Sequence, residues 1–278
     1  MEDKNILFIG CGKMGQVIIE KIINNKKLQH NNYKVIDPNI ADKNLSGDKF
    51  KNSNISYSTE ISLIDNNYLA DIIFLNIKPQ QSRDILLKIS QLDIYDENTI
   101  FISIIAGKKI GFFTDILGDH IKFVRTMPNL AIQYCHAVMP YKLSSNFKND
   151  DKKLIISLFE DFGKIFEITN EELFNIITAI FGSGPGYIFL LQEILKNIAI
   201  NNGVDDKIAG NLVEELFLGS SLMAKNSDKS FSQLLSDVSS NKGVTQVLIE
   251  NLTKSNSLHE IFENAIAKAA SRSKELGS

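Results

Sequence analysis

The sequence contains little cysteine and little histidine, and both shortages exclude classes of protein. Among its 278 residues the only cysteines are Cys11 and Cys135, which are far apart in sequence and lack the paired spacings of a disulfide framework or a zinc site. The four histidines are scattered without metal-ligand spacing. We therefore expect no bound metal and a reducing, cytoplasmic environment.

A strong excess of one charge is also missing, as is a clean membrane-spanning segment. The 30 basic and 33 acidic residues leave a formal net charge of −3 and form no long basic stripe, so we expect no nucleic-acid partner. The most apolar stretch, residues 174–195, is interrupted between Gly182 and Gly186. We interpret it as a buried, broken helix and expect no membrane association. The N-terminal segment lacks the pattern of a signal peptide, which also favours the cytoplasm.

Short apolar runs and amphipathic runs alternate in the first part of the chain. Strands are predicted at residues 6–9, 33–36, 72–75, 100–105 and 121–124, and helices at residues 14–23 and 82–92. Alternation of this kind indicates a parallel sheet covered by helices on both faces. Beyond residue 168 the strand signals stop and helical patterns continue to residue 276. The sequence thus predicts an α/β domain over residues 1–168 and an all-helical domain over residues 169–278.

A glycine-rich turn joins the first predicted strand to the first predicted helix. Residues 6–15 read ILFIGCGKMG, in which a hydrophobic run leads into G-x-G-x-x-G and then into an amphipathic helix. Gly10 permits a tight turn, Gly12 lets a pyrophosphate approach the backbone, and Gly15 allows close packing of the helix on the strand. The helix N-terminus favours the negative charge of that pyrophosphate. This context predicts a Rossmann-like, doubly wound, mainly parallel sheet that binds a dinucleotide.

An acidic residue, Asp37, follows the second predicted strand, about 20 residues beyond the turn. A carboxylate at this place commonly accepts hydrogen bonds from the adenosine ribose and repels a 2′-phosphate, which favours NADH. The sequence Asp37-Pro38-Asn39 is equally typical of a simple turn. Both roles of Asp37 stay open at this point.

Further motifs follow along nearly the whole chain. They are Asn76-Ile77-Lys78-Pro79, residues 103–107, residues 124–129, Gly182-Ser183-Gly184-Pro185 and residues 265–276. With the glycine turn, their order resembles the pyrroline-5-carboxylate reductase family, which reduces the cyclic imine 1-pyrroline-5-carboxylate to L-proline in the last step of proline biosynthesis. The resemblance implies this activity, NADPH or NADH as cofactor, and a helical dimerisation domain that interlocks with a second subunit in a homodimer, with a ring of dimers as a larger alternative.

By this resemblance, the cofactor-binding residues lie on the glycine turn, after the second strand and on two later loops: Gly10, Gly12, Lys13, Met14, Gly15, Asp37, Asn76, Lys78, Pro79, Met127, Pro128 and Asn129. From the residues alone, Lys78 also fits a solvated loop lysine and Pro79 a residue placed before a helix. Arg125 stays outside the predicted site, because an arginine that closes a strand is at least as often tied to a neighbouring carboxylate.

The predicted substrate loop departs from the family pattern. Members usually carry Ser-Pro-Gly-Gly-Thr-Thr between two helices, whose backbone amides and last threonine hold the substrate, whereas this chain reads Ser240-Asn241-Lys242-Gly243-Val244-Thr245. The matching residues Ser240, Gly243 and Thr245 are predicted to bind the substrate. We expect the Thr245 hydroxyl to polarise and protonate the imine nitrogen. Because Asn241, Lys242 and Val244 differ from the pattern, we expect a looser loop and weaker substrate binding.

Two other functions stay open beside imine reduction. A two-domain oxidoreductase of the β-hydroxyacid dehydrogenase type would need a lysine proton donor in its helical domain, for which Lys196 is the one candidate. A non-catalytic dinucleotide-binding dimer is compatible with the altered loop, because a fold alone does not guarantee chemistry. In every case the wide apolar faces of the C-terminal helices, which include Leu212, Leu216 and Leu248, predict burial against a second copy.

Overall fold

The computed structural model describes residues 4–25, 28, 30–42, 54–65 and 67–277. Within these ranges eight strands form one sheet: β1 (Asn5–Ile9), β2 (Asn32–Ile36), β3 (Asn54–Ser58), β4 (Ile72–Leu75), β5 (Ile100–Ser103), β6 (Lys122–Thr126), β7 (Ala137–Leu143) and β8 (Gly163–Glu167). The α-helices are α1 (Lys13–Ile23), α2 (Ser82–Ile89), α3 (Ile110–Leu117), α4 (Asn149–Phe159), α5 (Phe174–Ile177), α6 (Gly184–Asn201), α7 (Asp206–Lys225), α8 (Phe231–Val238), α9 (Val244–Thr253) and α10 (Ser257–Gly277).

The strand order across the sheet is β3-β2-β1-β4-β5-β6-β7-β8. All neighbouring strands are parallel except β6 and β7, which are antiparallel. The first six strands have the order of a doubly wound dinucleotide-binding sheet, so the predicted Rossmann-like fold is confirmed. The order reverses between β1 and β4, and in doubly wound sheets ligands bind at the carboxyl ends of the strands beside such a reversal.

Alternation of side chains along the strands builds a core on each face of the sheet. On one face Phe8 of β1 stacks on Phe74 of β4, with 4.9 Å between the ring centroids. On the other face Leu7 and Ile9 pack in a second cluster with Phe113 of α3. Both faces are therefore covered, as expected for a parallel sheet, and the strand ends beneath the crevice are held rigidly.

The five strands predicted from apolar runs are present, whereas β3, β7 and β8 carry weaker signals and were not predicted. Strand β3 is an edge strand of sequence NISYS with mostly exposed side chains. Strand β7 contains Pro140, a residue that donates no ladder hydrogen bond and argues against a strand in sequence. Strand β8 is the opposite edge, and Phe166 is 48% exposed there. Position in the sheet, more than local propensity, makes these segments strands.

The chain divides into two compact units, Met1–Ser183 with Ala269–Ser278 and Gly184–Lys268. The second unit is helical, and within it the rings of Tyr187 and Phe262 meet edge to face with centroids 5.9 Å apart. Among its described residues only Ala209 and Val213 are buried. A helical unit with so small a core of its own leaves most of its apolar side chains in contact with solvent in the single chain.

At residues 174–195 the predicted break in the helix is present, whereas the predicted burial is wrong for the single chain. The backbone forms a π-helical turn at Thr178–Gly182 and then continues into α6, where Phe189 is 65% exposed. Among the described residues, one helical run, Glu171–Asn201, is long and apolar enough to cross a membrane, and 11% of its most apolar window is buried. Length and composition alone are weak support for a membrane span, because helices that pack in other proteins pass the same test.

Candidate active site

The three glycines of the turn meet different surroundings. Gly10 has φ +95°, and a Cβ there would lie 2.5 Å from the carbonyl oxygen of Asn76. A Cβ on Gly15 would lie 2.8 Å from the carbonyl oxygen of Gly10. Gly12 is the N-cap residue of α1 and has no atom within 4 Å of the place where a Cβ would stand. Two glycines are thus required by the fold, and the third leaves the backbone open where a pyrophosphate would approach.

Asp37 holds the turn from the neighbouring strand. Its Oδ2 accepts a hydrogen bond from the backbone N–H of Cys11 at 2.7 Å, and its Oδ1 accepts one from the N–H of Asn39 at 2.9 Å. The residue is 8% exposed. The turn-forming role is therefore present in the structure, and Asp37 has the additional task of fixing the glycine loop. Its contact with a ribose stays a prediction.

Asn76 follows β4 directly beside the glycine turn. Its Cβ lies 3.3 Å from the position of a Cβ on Gly15, which places the amide against the turn. The residue is 9% exposed, and both polar atoms of its side chain are buried without a hydrogen-bond partner in the described part of the chain. Buried amides normally find partners, so this pair of atoms fits a site that polar groups of a ligand complete. Together with the open backbone at Gly12, it meets the requirement for a dinucleotide.

Four further residues of the predicted cofactor site lie at the start of α1 and on the segment after β4. Lys13 is exposed at the start of α1, and Met14 is partly buried against the core. Lys78 is exposed, and Pro79 is the first residue of a short 3₁₀ helix that leads into α2. Pro79 therefore begins a helical turn, in agreement with the structural interpretation of this proline.

The Met127-Pro128-Asn129 segment packs against the helix break. The Nδ2 of Asn129 donates a hydrogen bond to the carbonyl oxygen of Phe181 at 3.0 Å, and its Oδ1 accepts one from the N–H of Ala131 at 3.1 Å. The Cγ of Met127 lies 3.5 Å from the position of a Cβ on Gly182. The π-helical turn before Ser183 widens the helix at this contact. No local pattern could have paired these segments, which are remote in sequence.

Arg125 is buried beneath the same region. Its Nη1 lies 3.0 Å from Oε1 of Glu171, and its guanidinium carbon lies 4.4 Å from the centroid of the Phe174 ring. Burial lowers the pKa of the guanidinium, and the hydrogen bond to Glu171 opposes this shift. Nε and Nη2 have no partner in the described residues. The geometry agrees with a tie between arginine and carboxylate, as the sequence interpretation had it, and Glu171 is the partner that sequence reasoning missed.

The predicted substrate loop lies in the second unit and ends in a helix N-terminus. Gly243 caps α9, and its N–H donates to the carbonyl oxygen of Ser240 at 2.9 Å. Thr245, in the first turn of α9, is partly exposed. Lys242 has φ +60°, a conformation that suits the glycine usual in the family. Lysine therefore replaces the usual glycine at a position where the backbone is left-handed.

Two other expectations concern residues outside this site. Lys196, the proton donor of the dehydrogenase alternative, forms an ion pair with Asp206 at 2.8 Å, and the hydrogen bond to Asp206 raises its pKa. This pairing accounts for the lysine structurally. In the described part of the chain, no three histidine, cysteine, aspartate or glutamate side chains form a group that could hold a metal ion.

A doubly wound sheet with this glycine turn, followed by a helical unit, defines the class of two-unit NAD(P)-dependent oxidoreductases. The chain is 31% identical to a pyrroline-5-carboxylate reductase of Staphylococcus epidermidis over 98% of its own length and 97% of that protein. It belongs to the pyrroline-5-carboxylate reductase family. The resemblance seen in the sequence motifs is thus confirmed.

Family models and solved structures agree with this assignment. Residues 171–276 match the model described as pyrroline-5-carboxylate reductase dimerisation, and residues 5–107 match the one described as NADP oxidoreductase coenzyme F420-dependent. A crystal structure of Plasmodium falciparum pyrroline carboxylate reductase with NADP bound is 30% identical, with a TM-score of 0.84 and full coverage of both chains. A pyrroline-5-carboxylate reductase of Coxiella burnetii is 28% identical, with a TM-score of 0.81 and the same coverage.

Proposed function

We propose that this chain catalyses the NAD(P)H-dependent reduction of 1-pyrroline-5-carboxylate to L-proline, the last step of proline biosynthesis. The observation that carries the proposal is the full-length likeness to pyrroline-5-carboxylate reductases, which extends through both units of the chain. Purified protein should oxidise NADH or NADPH with pyrroline-5-carboxylate and leave a panel of hydroxy acids and keto acids unchanged. Turnover of a panel member instead would favour the dehydrogenase alternative, and cofactor binding without any turnover would favour a non-catalytic protein.

The chain's own residues hold and orient the cofactor. We assign the pyrophosphate to the backbone at Gly12, Lys13 and Met14, where the turn is open and α1 begins. The amide of Asn76 and the segments Lys78-Pro79 and Met127-Pro128-Asn129 complete the site in this assignment. When bound, the reduced nicotinamide supplies the hydride that the imine carbon receives. The protein's contribution is position and electrostatics.

The substrate end rests on the loop before α9. In the proposed arrangement, the backbone N–H groups of Val244 and Thr245, in the first turn of α9, hold the substrate carboxylate, because the N-terminus of a ten-residue helix attracts an anion. The Thr245 hydroxyl donates its hydrogen bond to the neutral imine nitrogen and delivers the one proton that this nitrogen gains as the carbon receives the hydride. The Thr245 oxygen then regains a proton from water.

Substitution of Thr245 tests this role. We expect Thr245→Val to lower kcat at least about tenfold with NADPH binding unchanged, and Thr245→Ser, which keeps the hydroxyl, to retain most of the activity. Steady-state kinetics and a fluorescence titration of NADPH measure the two quantities separately. Unchanged turnover in Thr245→Val would refute the role of Thr245 as proton donor. It would not affect the assignment of the cofactor site.

We further propose that the helical region forms a homodimer, which a ring of dimers would extend, and that residues 1–168 and 169–278 act as its cofactor and dimerisation domains. Exposed apolar side chains on α6, α7, α9 and α10 support this, among them Phe189, Leu212, Leu216, Leu248 and Ile261. Analytical ultracentrifugation should find a dimer, and Leu212→Asp combined with Leu216→Asp should give monomers without activity. Burial of this surface in a partner is also our reason to propose no membrane span, and the two scattered cysteines support a cytoplasmic protein.

Cofactor preference depends on Asp37 in this proposal. A carboxylate that contacts the ribose favours NADH, although both of its oxygens already accept backbone hydrogen bonds in the structure. Comparison of kcat/KM for NADH and NADPH, in the natural chain and in Asp37→Asn, measures the preference. If the Asp37 carboxylate contacts the ribose, Asp37→Asn should raise kcat/KM for NADPH relative to kcat/KM for NADH.

A further inference from the structure

A cavity of about 350 Å³ lies in the first unit, outside the glycine turn and the substrate loop. Its volume falls in the range of small-molecule sites. Of the residues that line the cavity, only Pro79 is also assigned to the cofactor site. The cavity is lined by Pro79, Gln80, Arg83, Lys108, Phe112, Arg272, Glu275 and Leu276.

The lining of this cavity carries an excess of positive charge. Among the described residues that line it, three side chains are cationic, Arg83, Lys108 and Arg272, and one is a carboxylate, Glu275. Arg272 pairs with Glu275 at 2.8 Å, one turn apart on α10. The other two cations come from α2 and from the segment before α3, which brings three separate parts of the chain together. In a chain of net charge −3, such a concentration of positive charge is a local feature.

The cavity is also distinguished by its content of arginine, a residue that is rare in this chain. The chain has 30 basic residues, of which only Arg83, Arg125 and Arg272 are arginines. Arg125 is buried against Glu171, and the other two line the cavity. Guanidinium groups bind carboxylates and phosphates through two parallel hydrogen bonds, whereas an ammonium acts as a point charge. Two of the three arginines in a lysine-rich chain therefore stand where an oxyanion would use their geometry.

An aromatic ring holds two of the cations in place. Lys108 Nζ lies 4.2 Å, and the guanidinium carbon of Arg83 lies 5.9 Å, from the centroid of the Phe112 ring. Lys108 is 7% exposed and donates a hydrogen bond to the carbonyl oxygen of Gly277 at 3.1 Å. Burial lowers the pKa of Lys108, and the charge of Arg83 lowers it further. An anion in the cavity would relieve this mutual repulsion.

We propose that this cavity binds the oxyanion group of a small molecule, a phosphate or a carboxylate, at a site separate from the cofactor pyrophosphate. The arginines supply charge-assisted hydrogen bonds, Lys108 supplies buried positive charge, and Glu275 limits the affinity. Because Pro79 borders the site and directly follows Lys78, an anion bound here lies beside the segment assigned to the cofactor.

The test uses the full chain with saturating NADP⁺, so that the pyrophosphate site is filled. Potassium phosphate and potassium malonate are titrated separately at an ionic strength held constant with potassium chloride, and the midpoint of thermal unfolding is followed. A rise in the midpoint gives an apparent Kd for each anion. Binding of phosphate, malonate or both supports the site and distinguishes the two chemical classes. No rise with either anion overturns it.

Four single variants assign the binding to the cavity. Arg83→Gln and Arg272→Gln should weaken the anion about tenfold, whereas Glu275→Gln should strengthen it. Lys88→Gln is the matched control, because it removes one positive charge from exposed α2 surface outside the cavity, and it should leave the Kd unchanged. NADP⁺ affinity, measured for each variant, reports an intact fold. Equal weakening in Lys88→Gln, or loss of anion binding when NADP⁺ saturates the natural chain, would refute a separate site.

Discussion

Replacement of Gly12 by alanine separates cofactor binding from folding. Gly12 has φ −72° and ψ −174°, values that alanine adopts readily, and an added Cβ meets no atom within 4 Å. The methyl group would point into the open space at the start of α1, where the proposed pyrophosphate approaches the backbone. Gly10→Ala is the opposite case, because φ is +95° and the new Cβ would lie 2.5 Å from the Asn76 carbonyl oxygen.

The expected magnitudes differ accordingly. For Gly12→Ala, loss of a good N-cap residue costs about 0.5–1 kcal/mol, and the stiffer unfolded chain returns about 0.4–1 kcal/mol, so the free energy of unfolding stays nearly constant. Loss of charge-assisted backbone contacts costs about 1.5–3 kcal/mol of binding, a tenfold or larger rise in Kd. For Gly10→Ala, the left-handed backbone costs about 1–2 kcal/mol and the overlap about 1–3 kcal/mol.

Two measurements on each variant distinguish these outcomes. Thermal unfolding should leave the midpoint of Gly12→Ala within about 2 °C of the natural chain and lower that of Gly10→Ala by about 4 °C or more. NADPH titration should show weak binding for Gly12→Ala despite its normal stability. Normal NADPH affinity in a folded Gly12→Ala protein would refute the assignment of the pyrophosphate to this turn.

The remaining predictions concern stability. Lys242→Gly should raise the free energy of unfolding by about 0.5–1 kcal/mol, because relief of the left-handed strain at φ +60° exceeds the entropy cost of glycine. Asn241→Gly is the control, because φ is not positive at Asn241, and it should give no such gain in the free energy measured by denaturant unfolding. Equal gains in the two variants would contradict backbone strain at Lys242. Tyr33→Phe should lose about 1 kcal/mol at neutral pH, because Tyr33 is 2% exposed and donates a hydrogen bond to the Leu28 carbonyl oxygen at 2.5 Å. Burial raises the pKa of Tyr33 to about 12, above the unfolded value of 10.0, so its contribution is complete below pH 10 and is lost as the pH rises towards 12. Between pH 10 and pH 12 the free energy of unfolding should therefore fall less steeply with pH in Tyr33→Phe than in the natural chain. Equal slopes would count against the raised pKa of Tyr33.

Much of the first unit followed from local patterns. The apolar runs of β1, β2, β4, β5 and β6 are long and buried, so burial and propensity agree there. The pattern failed at β7, which contains Pro140, and at the edge strands β3 and β8, whose side chains are mostly exposed. It also failed at residues 174–195, because a helix with exposed apolar side chains has the same composition as a helix buried in the chain's own core.

Parts of the candidate site show the same division. The glycine turn was assigned to the cofactor from its own motif, and Asn76 and Met127-Pro128-Asn129 were assigned to it from the resemblance to the family. The hydrogen bond from Asn129 to Phe181, which are 52 residues apart, and the ion pair of Arg125 with Glu171, which are 46 apart, have no local signal. Residues at such separations meet only because the sheet order and the helix ends bring them together.

By itself, the sequence determined the glycine turn, the doubly wound first unit and the helical character of the second, because backbone torsions and the spacing of apolar residues act over a few positions. Tertiary structure alone decided which glycines the fold requires, what holds Asp37, and how α2, Lys108 and the end of α10 enclose a basic cavity. Those features depend on atoms that approach within a few ångströms from remote parts of the chain, and that proximity arises only when the sheet has formed.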